Sequence, residues 1–227
     1  WTLSRGLGDV YKRQSIFFVF VSNNLKLLDT KTKNMLSLKN SLAVLRKTDA
    51  LLEGHFVLSS GLHSSQYVQC AKLLSKPTHA KKFISSLATK IKRNIQSFDI
   101  ILSPAMGGVI IGYEIGRLLK KETIFCERVD KKFKLRRGFN IKKKAKVLIV
   151  EDVITTGKSS LECVRLIKKF GGKFVGIACL IDRSKKLKMS KKIISQVKLD
   201  IPVYKRNKLP TPLKNIQITK PGSRYLR

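Results

Sequence analysis

Ten consecutive residues, Glu151-Asp152-Val153-Ile154-Thr155-Thr156-Gly157-Lys158-Ser159-Ser160, carry the most chemistry in the chain. Two acids follow the apolar run Val147–Val150 directly, and a Thr/Gly/Ser stretch then opens a helix. Backbone N–H groups of such a loop, aided by the helix dipole, cradle a phosphate, and the Thr and Ser hydroxyls add donors. Adjacent carboxylates repel a phosphate. They suit a sugar diol, or offset positive charge that develops on a ribose. A phosphate cradle beside a diol binder implies a ribose 5-phosphate. A merely capped helix start would leave two acids at the end of a buried strand unexplained. The nucleotide-triphosphate P-loop is excluded, because its first glycine would stand five residues before Gly157, where the chain has Asp152.

Residues of this kind need a strand behind them and a helix ahead. Apolar spacing predicts a helix over 36–52, then short β runs near Phe56–Leu58 and Tyr67–Cys70 split by a Ser/Gly/His turn. A basic amphipathic helix is predicted over 78–97. Strands at 98–104, 123–129, 147–150 and 174–182 then alternate with helices over about 107–120 and 158–170. A charged stretch, 130–146, lies between the second and third of these strands, and no internal repeat is visible. Strand–helix alternation means βαβ units, a parallel sheet and right-handed crossovers. Ligands of such sheets bind beyond the carboxyl ends of the strands, so the segments after 102, 129, 150 and 182 are the places to search.

Three further segments fall there. Ser103-Pro104-Ala105-Met106-Gly107-Gly108 is small enough for close backbone approach to a ligand, or is simply a tight strand-to-helix turn. Arg128, Lys131, Lys132, Lys134, Arg136 and Arg137 form a basic segment that, on residue type alone, reads as solvated surface. Arg183 directly follows an apolar strand, and its plain alternative is a surface pair with Asp182.

Charge is the unusual bulk property: 48 Lys+Arg against 14 Asp+Glu, formally +34 over 227 residues. Residues 35–227 alone carry +30, so the excess is no tail. Lys outnumbers Arg by 35 to 13, whereas bidentate base or phosphate readout favours Arg. The excess therefore reads mainly as lysine-rich surface. With 43% hydrophobic residues the chain holds a proper core, which excludes a disordered or acidic solvating protein. Cys70, Cys126, Cys163 and Cys179 show neither zinc nor disulfide spacing and read as core residues of a reducing compartment. His55, His63 and His79 have no metal-ligand spacing. The apolar run near Ser15–Val21 is far too short to span a membrane. The chain starts at Trp1 and its first Met is Met35, so residues 1–34 read as an extraneous or disordered extension, leaving 193 residues.

The run Val147–Ser160 resembles the phosphoribosyl-diphosphate motif of the type I phosphoribosyltransferases. "GHFVLSSGLHSSQYVQCAKLL" (54–74), "LSPAMGGVIIGYEIGR" (102–117), "ERVDKKFKLRRGF" (127–139), "LIDRS" (180–184) and "KPGSR" (220–224) complete, in order, a pattern similar to the orotate phosphoribosyltransferases. The resemblance covers nearly all of 35–227. It implies an α/β fold, with a type I phosphoribosyltransferase-like central parallel sheet flanked by helices and a small N-terminal hood. The hood would take about 35–75, the core about 78–185 and a C-terminal segment about 186–227.

The implied activity transfers the 5-phosphoribosyl group from phosphoribosyl diphosphate to orotate. Glu151, Asp152, Val153, Ile154, Thr155, Thr156, Gly157, Lys158 and Ser159 would hold the donor. A mobile loop would bring Arg128, Lys131, Lys132 and Lys134 to the diphosphate. Asp152, Lys132 and Arg128 are the implied catalytic residues. Arg183 and Thr155 would bind orotate, with Ser59, Ser60 and Gly61 as the hood over the base and His63 nearby. Mg²⁺ would be held mainly by substrate, without a protein metal site. The implied partners are these two substrates and a second copy, in a homodimer with shared active sites; the implied location is cytoplasmic, with no membrane and no specific nucleic acid. The chain departs from many relatives at Ser59, Gly107, Val129 and Lys158. A phosphoribosyltransferase for another base, and a non-catalytic regulator that senses the donor, stay as alternatives.

Overall fold

Strands Ile100–Pro104 (β3), Lys146–Ile154 (β6) and Lys173–Asp182 (β7) form the middle of the molecule because their residues are apolar on both faces. Val147 to Val150 are all fully buried, as a strand covered on both sides requires. The structure, a computed structural model, describes residues 35–58, 60–185, 187 and 191–221. The described residues form two sheets. The larger has six strands in the order β5-β4-β3-β6-β7-β8, with β4 Glu122–Val129, β5 Lys132–Leu135 and β8 Ile193–Lys198. All its neighbours are parallel except the β4–β5 pair.

Strand alternation divides the core in two. Leu148 and Val150 face Phe83, Leu87 and Ile91 of α3 (Pro77–Asn94) and Ile111 and Ile115 of α4 (Gly107–Leu119). Val147 and Ile149 face Cys163, Leu166 and Ile167 of α5 (Lys158–Lys169). Helices thus cover both faces, the central parallel sheet expected from the alternation.

The second sheet has four strands in the order β10-β1-β2-β9: β1 Leu51–Val57, β2 His63–Val68, β9 Val203–Tyr204 and β10 Ile218–Thr219. Helix α1 (Leu38–Lys47) precedes it, α2 (Cys70–Leu74) follows β2, and α6 (Thr211–Lys214) precedes β10.

Three expectations are corrected. The first helix stops at Lys47 rather than running to 52: Asp49 takes a left-handed φ of 56°, and Leu51 and Leu52 pair with Val68 and Tyr67. The second β run lies at His63–Val68, and Cys70 opens a helix instead of ending a strand. The charged stretch 130–146 is not all connection. Phe133 and Leu135 alternate with Lys132 and Lys134 in β5, joined to β4 by the two-residue turn Asp130-Lys131, both at positive φ. Among the described residues no helix is long and apolar enough to cross a membrane.

Candidate active site

Period-two alternation along β6 decides where the two acids go. Asp152 turns to the α4 side, into a cavity of about 640 Å³, and Glu151 turns to the α5 side. There Glu151 is 6% exposed and accepts a hydrogen bond from the Ser160 hydroxyl. The pair expected to face one diol is therefore split across the sheet. Burial pushes Glu151 up to about 7, with the neighbouring Asp152 adding to the rise and the Ser160 hydroxyl opposing it. Burial also raises Asp152, opposed by backbone N–H groups, including that of Val153, which donates to its Oδ1 at 2.9 Å.

Gly107 makes room for that carboxylate. A Cβ at this position would stand 2.5 Å from Asp152 Oδ2, so the loop after β3 lies against Asp152 only because it has none. On the other side, Gly157 takes a φ of 71° and starts α5, whose first turn has no acid to compete for its N–H groups. Thr155 and Thr156, just before it, line the cavity with Asp152 and Val153.

The end of β7 supplies a cation. The backbone N–H of Arg183 donates to Ile154 O at 2.8 Å, fixing the arginine beside the loop after β6. Asp182 does not pair with it: its Oδ1 accepts from the backbone N–H and the hydroxyl of Ser184, at 2.8 and 2.6 Å. Arg183 lines the cavity, and its Nε is buried without a hydrogen-bond partner among the described residues. Burial lowers its proton affinity, opposed by Tyr67.

Ser60 of the hood completes the set that the structure brings together. Gly61 holds the turn at φ 78°, its N–H donating to Leu58 O at 2.9 Å, and does not line the cavity. Ser59 lies outside the described residues. Ile154 is 1% exposed in the core below α5, and Ser159 and the exposed Lys158 also stand off the cavity. His63 is a buried strand residue rather than a loop residue.

The basic residues expected at the diphosphate are elsewhere. Lys131, Lys132 and Lys134 join Lys158, Arg165 and Lys169 around a separate groove of about 660 Å³ between β5 and α5. Arg128 pairs with Glu162 of α5 at 2.9 Å and lies over the Phe133 ring, while Lys134 pairs with Asp130 at 3.0 Å. Sequence reasoning missed Tyr67, Lys185, Ile201, Val203 and Pro221, which also line the cavity. Tyr67 and Pro221 sit inside the runs 54–74 and 220–224 that carry the resemblance, and Lys185 directly follows the run 180–184. Ile201 and Val203 arrive by pairing and packing across the chain and leave no local signal.

Residues 74–213 match the family model described as "Phosphoribosyl transferase domain". With the parallel sheet and the acidic loop at its carboxyl edge, this match makes the chain a phosphoribosyl transferase domain protein. It is 46% identical over 185 residues to an orotate phosphoribosyltransferase of Erythrobacter litoralis, an alignment covering 81% of this chain and 96% of that one. The corresponding protein of Sphingopyxis alaskensis is 47% identical over 186 residues, 81% of this chain and 95% of that one. The crystal structure of orotate phosphoribosyltransferase from Aeropyrum pernix superposes with a TM-score of 0.63 at 25% identity, over 69% of this chain and 92% of that one. The chain belongs to the orotate phosphoribosyltransferase family.

Proposed function

We propose that the chain joins orotate to the ribose of phosphoribosyl diphosphate, giving orotidine 5′-phosphate and pyrophosphate, in the synthesis of pyrimidine nucleotides. One observation carries this reading: Ser60, the group Asp152, Thr155 and Thr156, and Arg183, from three distant stretches of chain, line one cavity. Family membership supports the same substrate pair.

Each residue then has a task. The Thr155 and Thr156 hydroxyls and the N–H groups opening α5 hold the 5-phosphate. The Asp152 carboxylate offsets the positive charge that grows on the ribose as its bond to the diphosphate breaks. Arg183 neutralises the orotate carboxylate, and its unpartnered Nε supports that role. Ser60 closes over the base.

Among the described residues, Asp152 is the single carboxylate lining the cavity. Such a sparse donor set fits Mg²⁺, which keeps waters and substrate oxygens. Bound with the diphosphate, the ion supplies charge neutralisation to the leaving group. Arg128, Lys131, Lys132 and Lys134 reach the diphosphate once the β4–β5 hairpin leaves α5, a movement that breaks the Arg128–Glu162 pair and shields the donor from water.

A homodimer is part of the reading. Met106, just before α4, and Ile110 and Tyr113 on it follow one another at helical spacing and are 87%, 58% and 67% exposed, an apolar stripe suited to a second copy. The four cysteines among the described residues are free and buried, in keeping with a cytoplasmic enzyme.

Product chromatography with phosphoribosyl diphosphate, Mg²⁺ and each of orotate, uracil, adenine, hypoxanthine and xanthine tests the proposal. Orotate alone is expected to be consumed. Turnover of a purine without orotate overturns it.

A further inference from the structure

The small sheet contains two buried histidines that the reaction above does not use. His55 of β1 and His63 of β2 are 2% and 4% exposed, and His55 Nε2 lies 2.7 Å from His63 Nδ1. On its other side, His55 Nδ1 lies 3.3 Å from the carbonyl oxygen of Ile216. A carbonyl only accepts, so His55 Nδ1 carries the hydrogen and donates to Ile216. The Nε2 of that neutral ring is then bare and accepts the Nδ1–H of His63. Burial, His55 and Arg206 all lower the proton affinity of His63.

Ile216 leads into β10, which pairs in parallel with β1 through His55–Ile218 and Phe56–Thr219. A two-residue strand is poorly held by its own ladder. Apolar burial adds little, since Ile216 and Ile218 are 44% and 49% exposed. Yet Pro221, two residues beyond β10, lines the cavity with Ser60 and Arg183. Leu213, 3% exposed, anchors the chain just before this segment, and the His55 side chain, 161 residues away in sequence, adds a grip on the segment itself.

We propose that His55, itself oriented by His63, is a positioning residue that clamps the segment 216–221 to the hood, so that Pro221 forms a wall on the orotate side of the cavity. The clamp rests on the orotate reading only for which substrate it affects.

Steady-state kinetics and amide hydrogen exchange on the full chain test it. His55→Ala is expected to raise KM for orotate about tenfold, with kcat and the donor KM within about twofold. Pro221→Gly does the same, and the double variant is no worse than either single one, because both remove the same wall. His55→Asn places an amide nitrogen where Nδ1 stood and restores orotate KM; His55→Gln, with its amide further out, does not. Independently of turnover, the β10 amides exchange faster in His55→Ala than in the wild type. An unchanged orotate KM with unchanged exchange, or additive effects in the double variant, overturns the clamp. If the wild type consumes no orotate, the function proposed above fails, and the exchange result alone decides the clamp. Should His55→Ala not fold, His55→Gln carries the same measurements.

Discussion

Asp152 and Arg128 both lie near the carboxyl ends of strands of one sheet, yet their surroundings are opposite. Around Asp152, polar groups from the hood, the loop after β6 and the end of β7 converge, and Arg183 Nε has no partner among the described residues. Around the β4–β5 hairpin, cations are already matched: Arg128 with Glu162, Lys134 with Asp130, Arg137 with Glu127. The cavity is built with valences left for a ligand, whereas the hairpin is parked on α5 with several of its own satisfied. A site that waits for substrate and a segment that must be released to serve it are distinguishable by that bookkeeping alone.

The largest expected effect lies on the cavity side. Asp152→Asn is expected to lower kcat by roughly a thousandfold while the melting temperature moves little. Unchanged turnover would remove Asp152 from the chemistry and break the contrast at its first member.

Glu151 comes next and concerns stability. Its folded form holds a proton up to about pH 7, whereas an unfolded glutamate releases it near 4.3. The stability linked to this proton is whole below about pH 4 and is lost as pH rises through about 7. Glu151→Gln, which still accepts from Ser160, escapes that loss. Urea melts at pH 5 and pH 8 should show the variant gaining on the wild type by up to about 3 kcal/mol at the higher pH. A gap that does not depend on pH would show that the two faces of β6 differ less than their burial implies.

Arg183→Ala should raise KM for orotate about thirtyfold with the donor KM nearly unchanged, as a lost charge-assisted contact requires. A wild-type orotate KM would deny that the cavity's open valence belongs to the acceptor. The smallest effect sharpens the other side. Glu162→Gln unties Arg128 and should lower the donor KM about threefold, the scale of a half-exposed ion pair. A rise instead would mean that Glu162 holds Arg128 where it works.

What was legible in the sequence follows from how each part is held. Strands β3, β6 and β7 are buried on both faces, so they stand out as apolar runs, and the acidic loop follows β6 without a gap. The β5 strand was hidden because its turn uses Asp130 and Lys131 at positive φ instead of glycine, and half of its side chains are lysines. The split of Glu151 from Asp152 was written in the period of the strand, but chemical likeness suggested a side-by-side pair. Ile201 and Val203 reach the cavity only through pairings and packing across the chain, which no local pattern announces, whereas Pro221 lies within the resembling run 220–224.

The order of strands in the small sheet also sets an order of events during synthesis. Strands β1 and β2 emerge from the ribosome early, but their outer neighbours β10 and β9 begin only at residues 218 and 203. The six-stranded sheet is complete in sequence by residue 198. Since chains fold from the N-terminus as they are made, the main sheet closes first and the hood receives its edges last. The open edge of β2 waits through about 135 residues of translation and that of β1 through about 161, intervals in which the nascent chain is exposed to pairing with a neighbour.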